Sequence, residues 1–204
     1  MDIKETILDK VSQFIEREKI IKVTMDDIAT ALKMSKKTIY KYFASKDELI
    51  QAIIWIKIQY LRKNIEQITA KDINAIEKFV CLTDFILHKG LKFLMIFLHQ
   101  IAEMGPEWWK KIEDFRGKVL RKNISLIVEQ GKKEGLVIDR ETEIIRGIYM
   151  AAIQGVINPS YLKGSKLPPR LIISTTIEIL FRGILTEEGM KIYNKLKKEK
   201  GNEV

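Results

Sequence analysis

Apolar side chains recur at helical spacing along the chain, and no stretch of useful length alternates apolar and polar residues as a strand does. The first apolar stripe lies within residues 2–18, and a longer one runs from Lys46 to about Ile68 without Gly or Pro. The first stripe consists of Ile3, Ile7, Leu8, Val11, Phe14 and Ile15. The pattern predicts an all-α protein in which the long helix that begins at Lys46 bridges two regions.

Five further helices are predicted between breaks rich in glycine and proline. They cover residues 72–89, 91–103, 107–131, 140–157 and 169–186. Between the last two lies the segment 158–169, which joins turn-forming residues to prolines, so we expect a long surface connection there. Residues 191–204 are rich in lysine and are expected to form a frayed basic end.

The segment TMDDIATALKMSKKTIYKYFASK, residues 24–46, predicts two short helices, a tight turn and the start of a third helix. Thr24 and Asp27 have the spacing of a capping box at the start of the first short helix. Ser35 is the expected cap of the second. This arrangement is a helix-turn-helix, and the preceding helix over residues 2–18 can complete its small apolar core.

The second helix of the motif separates apolar from basic residues. Ile39 and Phe43 lie one turn apart on one face, and Ser45 with Glu48 predicts a further capping box just beyond. The surrounding run, residues 33–46, has a charge of +5 and no acidic residue. Its lysines are Lys33, Lys36, Lys37, Lys41 and Lys46. Such a segment suits a groove lined by phosphates.

Over this first quarter the chain resembles the TetR family of bacterial transcriptional regulators. The family signature is a helix-turn-helix that ends in an aromatic pair, followed by Lys, an acidic residue and Leu. Here the pair is Tyr42-Phe43, and Ser45-Lys46-Asp47-Glu48-Leu49 follows. The chain departs from the signature in the turn, where the family usually has Gly and this sequence has Lys33. A residue other than Gly is strained at positive φ.

The resemblance implies an N-terminal three-helix DNA-binding domain over residues 1–47. A C-terminal helical domain that binds a ligand and dimerises would follow over residues 48–190, with a basic tail at 191–204. The implied partners are operator DNA, a second copy of the chain and a largely apolar small-molecule effector. Repression is favoured over activation.

The second helix of the motif would then lie in the major groove of DNA. Contacts to bases or close to them are assigned to Lys36, Lys37, Thr38 and Tyr40. Contacts to phosphates are assigned to Thr24, Ser35, Lys41, Tyr42 and Lys46. The position of Lys46 in the first turn of the bridging helix adds amide groups that attract phosphate. For the two tyrosines, packing within the protein is the alternative.

Two C-terminal helices have more apolar surface than one core requires. In the helix over residues 140–157, Gly147, Ala151 and Gly155 recur every four residues, which lets another backbone approach closely. The helix over residues 169–186 is apolar around most of its girth. Burial inside one monomer would explain both faces. The resemblance favours a subunit interface, because family members dimerise through their last two long helices.

A cluster of aromatic and methionine side chains could line a pocket for a small apolar molecule. It comprises Phe93, Met95, Phe97, His99, Met104, Trp108, Trp109, Phe115 and Tyr149. A stripe of aromatic and methionine side chains at helical spacing is more often part of an ordinary hydrophobic core that binds no ligand. The resemblance favours an effector cavity in this region.

The composition of the chain limits the kinds of partner and the cellular compartment that fit it. The 204 residues are 46% hydrophobic, enough for a buried core, and the formal charge of +9 fits a polyanionic partner without identifying one. The lone Cys81 cannot form an intrachain disulfide, which points to a reducing compartment. No signal region opens the sequence and no apolar run is long enough to span a bilayer, so a cytoplasmic protein is expected.

No catalytic motif or cofactor-binding loop is present in the sequence. His99 and Glu103 lie one helical turn apart, but two ligands are too few for a metal site. An enzyme is therefore not expected, and neither is a cofactor or a metal. Two other classes stay open, a helical carrier of an apolar molecule that does not bind DNA and an interaction module that acts through the helix over residues 169–186.

Overall fold

The computed structural model describes residues 2–17, 23–93, 95–97 and 105–201. In chain order its helices are α1 (Ile3–Arg17), α2 (Met25–Leu32), α3 (Lys36–Tyr40), α4 (Lys46–Thr69), α5 (Ala75–Phe85), α6 (Pro106–Lys133), α7 (Thr142–Val156), α8 (Pro159–Gly164), α9 (Pro169–Arg182) and α10 (Glu187–Gly201). A π-helical turn, Ile86–Gly90, continues α5. The described ranges contain no strand, and the expected all-α class is confirmed.

The chain divides into two compact units. One consists of Met1–Leu61 and Lys92–Lys111, and the other of Arg62–Leu91 and Ile112–Val204. Both α4 and α6 contribute residues to each unit. The functional boundaries expected at residues 47 and 190 do not coincide with this division and stay predictions.

The first unit contains the three-helix arrangement and the start of α4. The α1 residues Ile7, Val11 and Ile15 are almost fully buried, as the apolar stripe predicts. Ile3 is an exception at 47% exposure, because it is the first residue of α1. Core residues from the other helices of this unit are Ile28, Leu32, Ile39, Phe43, Leu49 and Ile53.

The second unit is centred on a chain of aromatic contacts that joins four helices. Tyr193 of α10 packs edge-on against Phe181 of α9, which stacks on Phe79 of α5. Phe79 in turn meets the ring of Tyr149 on α7 edge-on. Gly189 lets α10 approach closely, since a Cβ there would lie 2.2 Å from the carbonyl oxygen of Leu136.

Two segments differ from the sequence-based expectation. The connection expected at residues 158–169 contains α8, whose N-terminus is capped by Asn158 through the backbone N–H of Tyr161 at 2.8 Å. The frayed end expected from Lys191 is wrong for the described residues, because α10 continues as far as Gly201 and buries Tyr193. Part of the helix expected at residues 91–103 lies outside the described residues. Among the helices that the model describes, none has the apolar length needed to cross a bilayer.

Candidate nucleic-acid interface

The first helix of the motif begins with the predicted capping box. The Thr24 hydroxyl and backbone N–H donate to Oδ2 of Asp27 at 2.7 and 2.8 Å, and the Asp27 N–H donates back to the Thr24 hydroxyl at 3.2 Å. These bonds, the backbone one foremost, lower the pKa of the Asp27 carboxyl, and the positive charge of Lys46 adds to the effect. The hydrogen of the Thr24 hydroxyl is thus engaged within the cap.

The turn between α2 and α3 places Lys33 in the left-handed region, with φ 53° and ψ 41°. The Lys33 N–H donates to the carbonyl of Thr30 at 3.1 Å, and the Met34 N–H donates to the carbonyl of Ala29 at 3.0 Å. This pair of bonds is a Schellman motif, in which the left-handed position is usually glycine. The departure from the family signature therefore leaves the turn intact and puts a strained residue in it.

The second helix, α3, is short and firmly anchored. Ser35 caps it by accepting the Thr38 N–H at 3.0 Å, and the Ser35 and Thr38 hydroxyls lie 2.8 Å apart. Ile39 and Phe43 are buried with at most 1% exposure and hold the element on the core of its unit. The helix ends at Tyr40, so the aromatic pair 42–43 follows it.

The outward side of α3 exposes most of the predicted contact residues. Thr24, Ser35, Lys36, Lys37, Tyr40 and Lys41 are exposed, whereas Thr38, Tyr42 and Lys46 are half-buried. Tyr40 is 46% exposed, so packing does not account for this side chain. The exposed lysines present a basic surface on a fixed helix, which is the arrangement that entry into a DNA groove requires.

Two charged neighbours of this surface are absent from the sequence-based assignment. Lys36 Nζ lies 2.5 Å from Oδ1 of Asp26 on α2. Lys4 of α1 places its Nζ 5.4 Å from the centre of the Phe43 ring. Neither contact follows from local spacing, because in each the two residues are ten or more positions apart in the sequence.

The start of α4 supplies the third part of the interface. Ser45 accepts the Glu48 N–H at 3.1 Å, as expected, but the Glu48 carboxylate accepts the N–H of Ala44 at 2.6 Å. The Glu48 side chain thus bonds to Ala44, the residue before the cap, and not to the cap residue Ser45 as a capping box requires. Lys46 lies in the first turn of α4, where the positive end of the helix dipole favours phosphate.

The predicted ligand residues fall in different parts of the chain. Phe93, Phe97 and Trp108 belong to the first unit, and Tyr149 belongs to the second. The rings of Phe93 and Phe97 are in contact, with centroids 5.1 Å apart. His99, Glu103, Met104 and the side chain of Trp109 lie outside the described residues. The cluster as a whole stays a prediction.

The second unit contains a small apolar cavity of about 10 Å³. Its lining comes from α5, α6, α7 and α9 and includes Phe79, Ile127, Ile145, Tyr149 and Phe181. Burial raises the pKa of the Tyr149 hydroxyl. A drug-sized ligand needs several hundred Å³, roughly 300 or more, so it could enter only if these side chains moved apart.

Apolar side chains of α7 and α9 reach the surface of the second unit. Ile144 and Ile148 are 59% and 57% exposed, and Ile179 is 66% exposed. On the same face of α7, no described atom other than those of the chain neighbours and the helix's own backbone lies within 4 Å of a Cβ built on Gly147 or Gly155. No group of three metal-ligating side chains occurs in the part of the chain that the model describes.

Comparison with known proteins agrees with this geometry. A family model described as bacterial regulatory proteins of the tetR family matches residues 15–53. An uncharacterized HTH-type transcriptional regulator of Bacillus subtilis, YvaF, is 24% identical over 174 residues, which is 84% of this chain and 90% of that protein.

Solved structures extend the likeness to the whole fold. A TetR-family regulator from Marinobacter aquaeolei has a TM-score of 0.71 at 18% identity and covers 98% of both chains. AibR, solved in complex with isovaleryl coenzyme A and operator DNA, has a TM-score of 0.57 at 19% identity and covers 88% of this chain and 98% of its own. Residues 15–53 thus match the tetR family of bacterial regulatory proteins, and the chain has the fold of solved TetR-family transcriptional regulators.

Proposed function

We propose that the chain is a cytoplasmic, ligand-responsive repressor that binds a pseudo-palindromic operator as a homodimer. The observation that carries the proposal is α3, which buries Ile39 and exposes Lys36, Lys37 and Tyr40. In the proposed complex α3 lies in the major groove, residues 1–47 bind DNA, and the helical remainder dimerises and binds the effector.

The proposed DNA contacts fall into two groups, those to bases and those to phosphates. Lys36, Lys37, Thr38 and Tyr40 on α3 would read base edges or lie close to them. The remaining predicted contacts surround this helix and would hold the backbone, where amides and cations meet phosphate without reading sequence. These are Thr24, Ser35, Lys41, Tyr42 and Lys46. Thr24 would contact phosphate once its hydroxyl or its backbone N–H leaves Asp27.

The test separates the two kinds of contact by substitution. Lys37→Ala should weaken binding to the selected operator by roughly 1–3 kcal/mol more than binding to mixed-sequence DNA, because a base contact carries the sequence preference. Lys46→Ala should weaken both duplexes alike and lower the slope of log affinity against log salt by about 0.9, as one phosphate contact is lost. Fluorescence anisotropy over a salt series measures both quantities.

The operator for this test comes from repeated selection of bound genomic fragments. Equal losses on operator and mixed DNA for Lys37→Ala would overturn its assignment to a base. If no fragment is enriched and affinity for mixed DNA is independent of salt, the chain is instead a helical carrier of apolar molecules.

The dimer proposal is supported by the surface of α7. Glycine in a helix interior costs about 1 kcal/mol relative to alanine, and none of the described residues outside α7 itself occupies the space beside Gly147 and Gly155. A second backbone packed against this face would explain both glycines. The exposed Ile148 and Ile179 would be buried in the same contact, which removes apolar surface from water. Two-fold symmetry then accounts for a pseudo-palindromic operator.

The effector proposal is supported by the apolar cavity of the second unit. Its lining contains aromatic rings and aliphatic side chains, which suit a small and largely apolar molecule. The solved complex of AibR with isovaleryl coenzyme A and operator DNA shows that a protein of this fold accommodates both kinds of partner. The small volume of the cavity makes ligand entry dependent on a rearrangement, and a ligand that requires a rearrangement shifts the conformational population.

A further inference from the structure

The first turn of α2 contains two adjacent carboxylates with different surroundings. Asp27 is turned back onto Thr24, where it accepts the bonds of the capping box. Asp26 is not part of that box. Its side chain is 72% exposed, and its Oδ1 lies 2.5 Å from Nζ of Lys36, the first residue of α3.

A carboxylate at this position is unexpected in a surface that binds a polyanion. The charge of Asp26 opposes every phosphate that approaches it, whatever the DNA sequence. Its partner Lys36 is one of the lysines of the proposed recognition helix and keeps 46% of its side chain exposed while paired. The ion pair thus leaves the ammonium group accessible to a second acceptor.

We propose that Asp26 is a specificity-determining residue that positions Lys36 toward base edges and withholds it from phosphates. The ammonium group has three N–H donors, so one can stay on Asp26 while the others reach the neutral acceptors of a base, such as N7 and O6 of guanine. A phosphate oxygen placed on the same ammonium would lie close to the Asp26 carboxylate and be repelled.

The consequence is a lower affinity for DNA in general and a greater preference for the operator. Lys36 adds little on a random sequence, because it must leave Asp26 to bind a phosphate. On the operator it can bind a base and keep its partner. The inference rests on the proposed position of α3 in the major groove.

The experiment compares Asp26→Asn with the unchanged full-length protein on a mixed-sequence duplex and on the duplex enriched by selection. Affinity for mixed DNA should rise about 2- to 5-fold, the range that an exposed ion pair supplies. The slope of log affinity against log salt should steepen by about 0.9, because Lys36 gains a phosphate. Operator affinity should rise less, so the ratio of the two affinities falls.

Matched variants separate positioning from a simple change of charge. Asp26→Glu keeps the carboxylate and should restore most of the original ratio. Asp9→Asn removes one exposed charge from α1 and should leave the ratio unchanged. Circular dichroism melting checks that each variant folds as the parent protein does.

The decisive comparison repeats Asp26→Asn in a Lys36→Gln background, where the effect on the affinity ratio should vanish. The same fall of the ratio in both backgrounds would overturn the inference, since Asp26 would then act without Lys36. Equal gains on both duplexes in the parent background would also overturn it. If Lys36→Gln alone changes neither affinity, the proposed contact at Lys36 fails together with the inference. If Lys36→Gln weakens binding and Asp26→Asn has no effect on the ratio, only the inference fails.

Discussion

Lys33 holds a left-handed backbone conformation that glycine adopts without strain. That conformation costs an L-residue about 1–2 kcal/mol, and glycine loses part of the advantage through its greater freedom in the unfolded chain. We expect Lys33→Gly to raise the free energy of unfolding by about 0.5–1 kcal/mol. Lys33→Ala is the control, because it removes the same charge but keeps the Cβ. Urea unfolding measures both, and an equal change in the two variants would contradict the strain argument.

The sequence predicts those side-chain contacts that join residues close together along the chain. Thr24 with Asp27 and Ser35 with Thr38 form as expected, because a cap joins residues three apart. The pair of Asp26 with Lys36 could not be predicted in this way, since its geometry depends on how α2 and α3 cross. Glu48 also departs from expectation, because its carboxylate accepts the N–H of Ala44 and not that of the cap residue Ser45.

Among the elements, α7 offers the clearest test of the dimer. Ala151 is exposed and lies between Gly147 and Gly155 on the ridge of small residues. Ala151→Arg would place a long charged side chain where a second backbone is proposed to pack, and burying an unpaired charge is strongly unfavourable. We expect this variant to be monomeric at micromolar concentration by analytical ultracentrifugation. Gln67→Arg adds the same charge at an exposed position of α4 and should stay dimeric. A dimeric Ala151→Arg variant would exclude the ridge from the interface.

Element boundaries show where sequence patterns carry information and where they do not. The long helices follow from apolar periodicity, and α4 begins and ends within a residue of the expectation. The helix α8 had a readable signal, an Asn cap followed by proline at the first helical position. The sequence of α10 has no comparable signal, because the segment is rich in lysine and the helix is held in place by the packing of Tyr193 against Phe181. The π-helical turn after α5 likewise has no sequence signature.

For the whole molecule, regulation requires a coupling between the DNA-binding surface and the effector cavity. The helix α4 begins at Lys46 in the proposed interface and continues as far as Thr69, so one helix contributes residues to both compact units. The cavity is too small in this state for an organic ligand. A ligand bound there would have to select a different conformation. In the proposed dimer, a ligand that changes the spacing of the two recognition helices would oppose DNA, whose pitch fixes that spacing.

The expected outcome is a reciprocal antagonism between ligand and operator. A coupling of about 1–3 kcal/mol would lower operator affinity roughly 5- to 150-fold, and the operator would weaken ligand binding by the same factor. Intrinsic fluorescence of Trp55 and Trp108 can report a screen of small apolar compounds, and each hit is then titrated with and without the selected operator. Mixed-sequence DNA at a concentration that gives equal occupancy is the control for a nonspecific effect. A hit that binds with the same affinity in the presence and absence of operator has no preference between the two states and is not an inducer.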